Sequence, residues 1–422
     1  MTIDAKHSIP VNGLNRSLIN ITGEWLFTLF LFAAYFKADP RLSFVQTHID
    51  ITLLFLGLSF LVFLYREIRN TFSLLIPWSF IWVAILFIFL AACLAGGLLH
   101  THIVEYGLDK TMSFIFLTGW AFFGAVLIIT DFLSLRRFSW DLVTITTAIA
   151  IGAILGYRGL WAGAATAFGS DHIALGRACG LGLLIIIVFL LPMESKRWVR
   201  FGLCIIAALQ LWALLISISL GSIIALIISL ILFFVLSARS FLHIKIERRA
   251  FKLFVLFLFA VIITASASHE IFPNLEKRTQ NVLTGGDLST NARLHLYQAA
   301  FDQWTESPIW GVGTGHFSDP VVLADIKAYP HNIILELAAE TGLFGVLVFI
   351  TMVGFAFSKG IIYIYTKKGL VRIMSRFLLV ACCFALMNAM ISYDINGNRI
   401  LFTFVGLLAA IQNFQMPRAK DA

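Results

Sequence analysis

The chain has 422 residues, of which 59% are hydrophobic and only 13% are charged, about half the charged fraction of a typical soluble domain. Apolar runs such as "FSLLIPWSFIWVAILFIFLAACLAGGLL" recur along it, and runs of about 18 or more apolar residues are typical of membrane-spanning helices. This composition excludes a soluble globular protein. The net charge of +8 reflects basic loops between apolar segments, so we predict no nucleic-acid partner.

The polar breaks between apolar runs define the predicted fold, an all-α polytopic membrane protein of about twelve transmembrane helices. We interpret residues 1–422 as a single integral membrane domain. No small-residue cleavage site follows the first run, which we therefore predict to be retained and not removed as a signal peptide. The predicted spans are 18–36, 48–65, 72–99, 112–130, 142–157, 176–192, 201–217, 221–237, 251–267, 333–357, 377–392 and 399–412.

Basic residues predict the orientation of these spans. With the N-terminus in the cytoplasm, 21 of the 31 Lys and Arg residues fall on the cytoplasmic side, as the positive-inside rule requires. Both termini are then cytoplasmic. The basic loops also predict contact with anionic membrane lipids.

One connection, residues 268–332, is much longer than the others and is predicted on the outer side. Long ordered loops are often functional. The segment "STNARLHLYQAAFDQWTESP" predicts a helix capped near Ser289, with an apolar stripe ending in Ala300, Phe301 and Trp304 that suits the bundle surface or the membrane interface. The Gly-rich "WGVGTGHF" that follows predicts a turn, since no strand precedes it.

The tenth span begins with Pro330, His331 and Asn332 at its outer end. A helix N-terminus offers free N–H groups and a positive dipole end, which together form an anion site. His331 is the side chain best suited to accept a proton near neutral pH, and the positive helix end favours its neutral form. Asn332 either orients a substrate or, like His331 in the simpler interpretation, only caps the helix.

Two carboxylates, Glu336 and Glu340, follow inside the same span. Charged groups within a membrane are costly and are usually functional or paired. We expect both to pair with a neighbouring helix or an arginine before taking part in chemistry.

Arginines gather at the outer face without a matching acidic cluster. They are Arg293 on the external helix, Arg158 and Arg177 before and within the sixth span, and Arg399 at the twelfth span with Asp394 five residues earlier. An arginine can hold a diphosphate through its planar fork, although each could also be a solvated surface residue. The set predicts an anionic substrate at membrane depth, such as a lipid diphosphate.

The sequence predicts no metal site. His100, His102 and Glu105 have no further ligands nearby, and His316 is interpreted as a loop histidine. The five cysteines all lie in predicted spans without disulfide or zinc spacing and are interpreted as packing residues.

Taken together, "ARLHLYQAAFDQWTESPIWGVGTGHF" and "PHNIILELAAETGLFG" resemble the signature region of the O-antigen ligase and polymerase superfamily. The matching positions are Arg293, Ser307–Pro308, Gly311 and Gly313, His331–Asn332, Glu336 and Gly342–Gly345, with Asp394 and Arg399 before the last span. The resemblance implies a GT-C-like bundle that acts as a membrane glycosyltransferase in the bacterial inner membrane, with its active face in the periplasm.

The resemblance also implies the chemistry. A glycan moves from an undecaprenyl-diphosphate carrier to an acceptor sugar, without a nucleotide sugar, metal or other cofactor. His331 would be catalytic and activate the acceptor hydroxyl, and Arg293 would bind the donor diphosphate. The family usually has a second arginine about seventy residues upstream of Arg293, where Leu220 stands here. Either the donor diphosphate is then bound by another arginine, namely Arg158, Arg177 or Arg399, or the donor chemistry differs.

We favour a ligase that joins O-antigen to lipid A–core, because the chain has only one modest external loop. A polymerase with a lipid-linked acceptor is the alternative within the superfamily. A twelve-helix secondary transporter is the alternative from another class, and it requires binding groups and interrupted helices near the membrane midplane.

Overall fold

The computed structural model describes residues 11–37, 39–69, 76–156, 163–237, 271–317 and 328–413. Its longer helices are α1 (Val11–Phe32), α2 (Ile51–Arg69), α3 (Trp78–Gly97), α4 (Val104–Ile128), α5 (Phe132–Gly156), α6 (His172–Met193), α7 (Arg197–Ile216), α8 (Leu220–Ser237), α9 (Ile271–Leu283), α10 (Leu288–Glu306), α11 (Ile333–Thr366), α12 (Gly369–Ala389) and α13 (Arg399–Ala410).

Ten helices in the described ranges are long and apolar enough to cross a membrane. The prediction of an all-α polytopic membrane protein is therefore confirmed. The predicted ninth span, 251–267, lies outside the described residues. The predicted twelfth span, 399–412, appears as α13, whose 12 residues extend only about 18 Å and are too short to cross a hydrocarbon core of about 30 Å.

The start of α4 differs from the prediction. The predicted span begins at residue 112, whereas the helix begins at Val104. The polar segment "VEYGLDK" lowers the local hydropathy, and a hydropathy reading therefore leaves it outside the membrane. The earlier start places Lys110 inside the bundle, where its side chain is buried.

The helix α11 is a central packing element of the bundle. It packs against α3, α10, α12 and α13. The helix α10 lies on α11 through Leu296 and Ala300, which form a small apolar cluster with Ala339. Phe301 of the predicted stripe is 46% exposed and so does not pack on the bundle. The helix is capped two residues before Ser289 by Asp287, whose side chain accepts the Thr290 N–H.

The helix α11 is broken at Gly342, which has φ +63° and ψ −158°. The Gly-rich turn fills the break: Val312 N–H donates to the Ala339 carbonyl at 2.8 Å and Gly313 N–H donates to the Glu340 carbonyl at 3.2 Å. On the other side of the break, Leu343 N–H donates to the Pro308 carbonyl at 2.8 Å. Backbone groups freed inside a membrane need such partners, so the predicted turn holds the first part of α11 in place.

Replacing Gly342 with alanine is expected to destabilise the protein by about 2–4 kcal/mol, because a Cβ is strained at positive φ and needs room in a packed site. That Cβ would collide with the Ile309 carbonyl group. Unfolding in detergent, followed by circular dichroism, measures the loss. Gly354 in the same helix is the matched control, since open space surrounds its position; Gly354→Ala should leave stability unchanged or raise it. Equal stability of the two variants would contradict the role given to the break.

Candidate functional site

His331 stands immediately before α11 in a strained backbone conformation. Its φ is +56°, which is uncommon for a residue other than glycine. Asn332 caps α11, and its Oδ1 accepts the N–H groups of Ile334 at 3.0 Å and Leu335 at 3.1 Å. The cap expected for this helix is thus present, and it fixes the peptide that carries His331. Strain of this kind is found most often at functional sites.

The imidazole of His331 is partly buried. Its Nδ1 is buried without a hydrogen-bond partner, and its ring centroid lies 4.5 Å from that of Tyr329. Burial, followed by the nearby Arg293 cation, lowers the pKa of His331 to about 4, against opposing effects of Asp171 and Asp394. The neutral form expected from the sequence is therefore favoured, and desolvation is the largest of these causes.

Arg293 lies on the first turns of α10 and lines a cavity of about 230 Å³ between α8, α10 and α12, here called the Arg293 cavity. Leu220, at the position of the missing family arginine, lines the same cavity. Tyr297, one turn after Arg293, shares a side-chain hydrogen bond with Asn332. This contact ties the helix that carries Arg293 to the cap beside His331.

A second cavity of about 410 Å³ contains both Arg177 and Arg399 and is here called the double-arginine cavity. Asp171 and Asp394 also line it. Asn388 lines both cavities, which therefore adjoin. The structure thus brings three of the predicted substrate-binding residues together and places Arg293 in the neighbouring cavity.

Arg158 lies outside the described residues. His331 lines neither cavity, but the charges of Arg293 in the Arg293 cavity and of Asp171 and Asp394 in the double-arginine cavity all act on its pKa. It therefore lies within electrostatic range of groups in both cavities. No sequence signal indicated Asp171 or predicted the Arg293 cavity, because α6, α8 and α12 meet only in the folded bundle.

Glu336 and Glu340 pair with a lysine that the sequence analysis placed outside the membrane. Lys110 Nζ lies 2.6 Å from Glu336 Oε1 and 2.7 Å from Glu340 Oε1. The contact with Glu340 has hydrogen-bond geometry, whereas the contact with Glu336 is an ion pair without it. All three side chains are about 1% exposed. Glu336 lines neither cavity, so its position fits the predicted structural pairing, with a lysine in place of an arginine, and not the prediction that it binds substrate.

His316 lies against His102, with ring centroids 5.2 Å apart. Within the part of the chain that the structure describes, no group of three or more His, Cys, Asp or Glu side chains is arranged to hold a metal ion. All five cysteines are free thiols.

Residues 203–350 match the family model described as O-antigen ligase. The match confirms the resemblance to the O-antigen ligase and polymerase superfamily. The matched segment includes Leu220, Arg293, the broken first part of α11 and His331, whereas Arg177 and Arg399 lie outside it. Among curated proteins, none matches the chain.

Proposed function

We propose that this multi-pass membrane protein is a ligase that transfers a glycan from undecaprenyl diphosphate to the sugar of a lipid A–core acceptor. The observation that carries the proposal is the position of His331 within the O-antigen ligase segment, beside Arg293 and with an unpartnered Nδ1. We place the active face in the periplasm and both termini in the cytoplasm of a bacterial inner membrane, because 21 of the 31 basic residues then lie inside.

His331 acts as the general base in this proposal. Its neutral imidazole accepts the proton of the acceptor hydroxyl, whose oxygen bonds to the anomeric carbon of the donor sugar. The bond between that carbon and the diphosphate oxygen breaks, and undecaprenyl diphosphate leaves. A base placed by the fold beside the reacting hydroxyl removes its proton as the new bond forms.

Arg293 holds the donor diphosphate and stabilises the charge that develops on the departing oxygen. The Arg293 cavity suits a lipid carrier, because its wall includes Ile224, a residue of α8 that is 52% exposed on a membrane-spanning helix. Apolar side chains such as Leu220 replace the second family arginine there, so the protein supplies fewer cations to the donor than the family pattern implies. No metal is required, since Arg293 supplies the positive charge.

A strain that lacks the protein tests the reaction and distinguishes ligase from polymerase. A ligase predicts that polysaccharide attachment is lost while long lipid-linked chains accumulate. A polymerase predicts core that bears a single repeat. Lipopolysaccharide is analysed by gel electrophoresis, with the wild-type gene returned as the control, and an unchanged profile in the null strain would reject both.

A further inference from the structure

We infer that the double-arginine cavity is the acceptor site, and that it selects an acceptor sugar carrying a negatively charged group, either a phosphate or a carboxylate. This inference rests on the proposed glycosyl transfer. The cavity is large enough, because its volume of about 410 Å³ falls within the roughly 300–1,000 Å³ of small-ligand sites.

The walls of the cavity offer the groups that sugars bind. Tyr35 and Tyr393 supply aromatic rings, and Asn388 and Asn396 supply amide donors and acceptors. An amphipathic aromatic ring can pack against the C–H face of a sugar while its hydroxyl stays polar. Apolar side chains, among them Phe32, also line the cavity.

In the described part of the chain, the two arginines of the cavity are not held by carboxylates at ion-pair distance, although the charge of Asp394 acts on Arg399. Arg177 is buried, and within the described ranges the groups it donates to are neutral, Ser392 Oγ at 3.3 Å and Asn398 Oδ1 at 2.7 Å. It lies 4.7 Å from the centroid of the Tyr393 ring. Arg399 keeps a buried Nε without a hydrogen-bond partner. Among the described residues, neither guanidinium forms an ion pair with a carboxylate.

The carboxylates of the cavity are held by other groups. Asp171 Oδ1 accepts from Tyr393 Oη at 2.7 Å and from Ala174 N–H at 2.6 Å, where it caps α6. Asp394 Oδ1 accepts the Gly397 N–H at 2.8 Å. A buried guanidinium is costly unless it is paired with an anion, and an anionic group on the ligand would provide that partner.

The positions of the two cavities assign the acceptor to this one. Arg293, which holds the donor diphosphate in the proposed function, lines the other cavity. The Asn332 side chain next to His331 is hydrogen-bonded to Tyr297, one turn after Arg293, and Asn388 lines both cavities. The base must meet the acceptor hydroxyl and the donor carbon together, so donor and acceptor would approach His331 from the two adjoining cavities.

Calorimetric titration of the purified full-length protein in detergent tests this inference without turnover. Four probes are used: glucose 6-phosphate, glucuronate, glucose and inorganic pyrophosphate. The two anionic sugars are expected to bind at least about tenfold more tightly than glucose, as hydrogen bonds to charged groups imply. Arg399→Met should remove that preference and leave pyrophosphate binding unchanged, whereas Arg293→Met should weaken pyrophosphate and leave the anionic sugars unchanged.

A second variant covers the case in which Arg399→Met does not fold. Asp394→Asn keeps the acceptor for Gly397 N–H but removes one negative charge from the cavity, so the anionic sugars should bind about fivefold more tightly. Three results would overturn the inference: equal affinity of the wild type for glucose and for the anionic sugars, no binding of the anionic sugars, or unchanged anionic-sugar affinity in both Arg399→Met and Asp394→Asn. Failure of Arg293→Met to affect pyrophosphate, with anionic-sugar binding intact, would reject the donor assignment and not the acceptor site.

Discussion

Replacing His331 with alanine or glutamine is expected to lower the rate of glycan transfer by about 10²–10⁴-fold, the usual contribution of a general base. The protein should still accumulate and fold, because His331 forms no hydrogen bond through its buried Nδ1 and its positive φ is itself a strain. His331→Gly should be as stable as the wild type or more stable by about 1 kcal/mol, yet equally inactive. A loss of stability in that variant would point to a structural role.

Transfer is measured as capped lipopolysaccharide in the null strain and as turnover of a lipid-linked donor by the purified protein. His316→Ala is the matched control, since His316 is also a partly buried histidine, lies against His102 and lines neither cavity. It should keep near-normal transfer. Normal capping by His331→Ala at normal protein levels would refute the catalytic role.

The pH dependence gives this prediction a second readout. Burial and the Arg293 charge lower the pKa of His331 to about 4, so the neutral base persists from neutral pH down to about pH 5 and is lost below about pH 4. In Arg293→Met the repelling cation is gone, the pKa of His331 rises, and the acid limb of the rate profile should move to higher pH. An acid limb that stays in place would show that Arg293 does not act on His331.

Replacing Lys110 with methionine is expected to destabilise the protein by about 3–5 kcal/mol, since it leaves buried carboxylates without a counter-ion. Both Glu336 and Glu340 lie within 2.7 Å of the Lys110 Nζ and are about 1% exposed. The amount of protein in the membrane and its unfolding temperature in detergent measure the effect. Lys37→Met is the matched control: Lys37 and Asp50 form an ion pair whose side chains are 43% and 40% exposed, and such pairs contribute at most about 1 kcal/mol.

The triple variant Lys110→Met, Glu336→Gln and Glu340→Gln should recover most of the stability, because it removes the unpaired charges together. If glycan transfer recovers together with stability, the role of Glu336 is to stabilise the position of α11. Recovery of stability without transfer would instead give Glu336 a part in substrate binding. If Lys110→Met is as stable as the wild type, the buried ion pairs do not hold α4 to α11.

The buried lysine also shows where sequence reasoning reaches its limit. Hydropathy predicted a span over residues 112–130 and excluded the segment before it, because Glu105, Asp109 and Lys110 make that segment polar. The partner of Lys110 at Glu340 is 230 positions away in the chain. A charge can enter a membrane helix only if such a partner meets it, and no local pattern reveals that meeting.

The sequence by itself determined the class of the protein, ten of its twelve predicted spans and the segment, carrying His331 and Arg293, that matches the family model. Apolar runs, caps and short motifs are local properties, so they can be recognised in the sequence without the tertiary structure. The tertiary structure decided which charges pair inside the bundle, where the Gly-rich turn docks, and that Arg177 and Arg399 share a cavity beside the one that Arg293 and Leu220 line. Those arrangements depend on helices far apart in the chain, which come together only when the bundle packs.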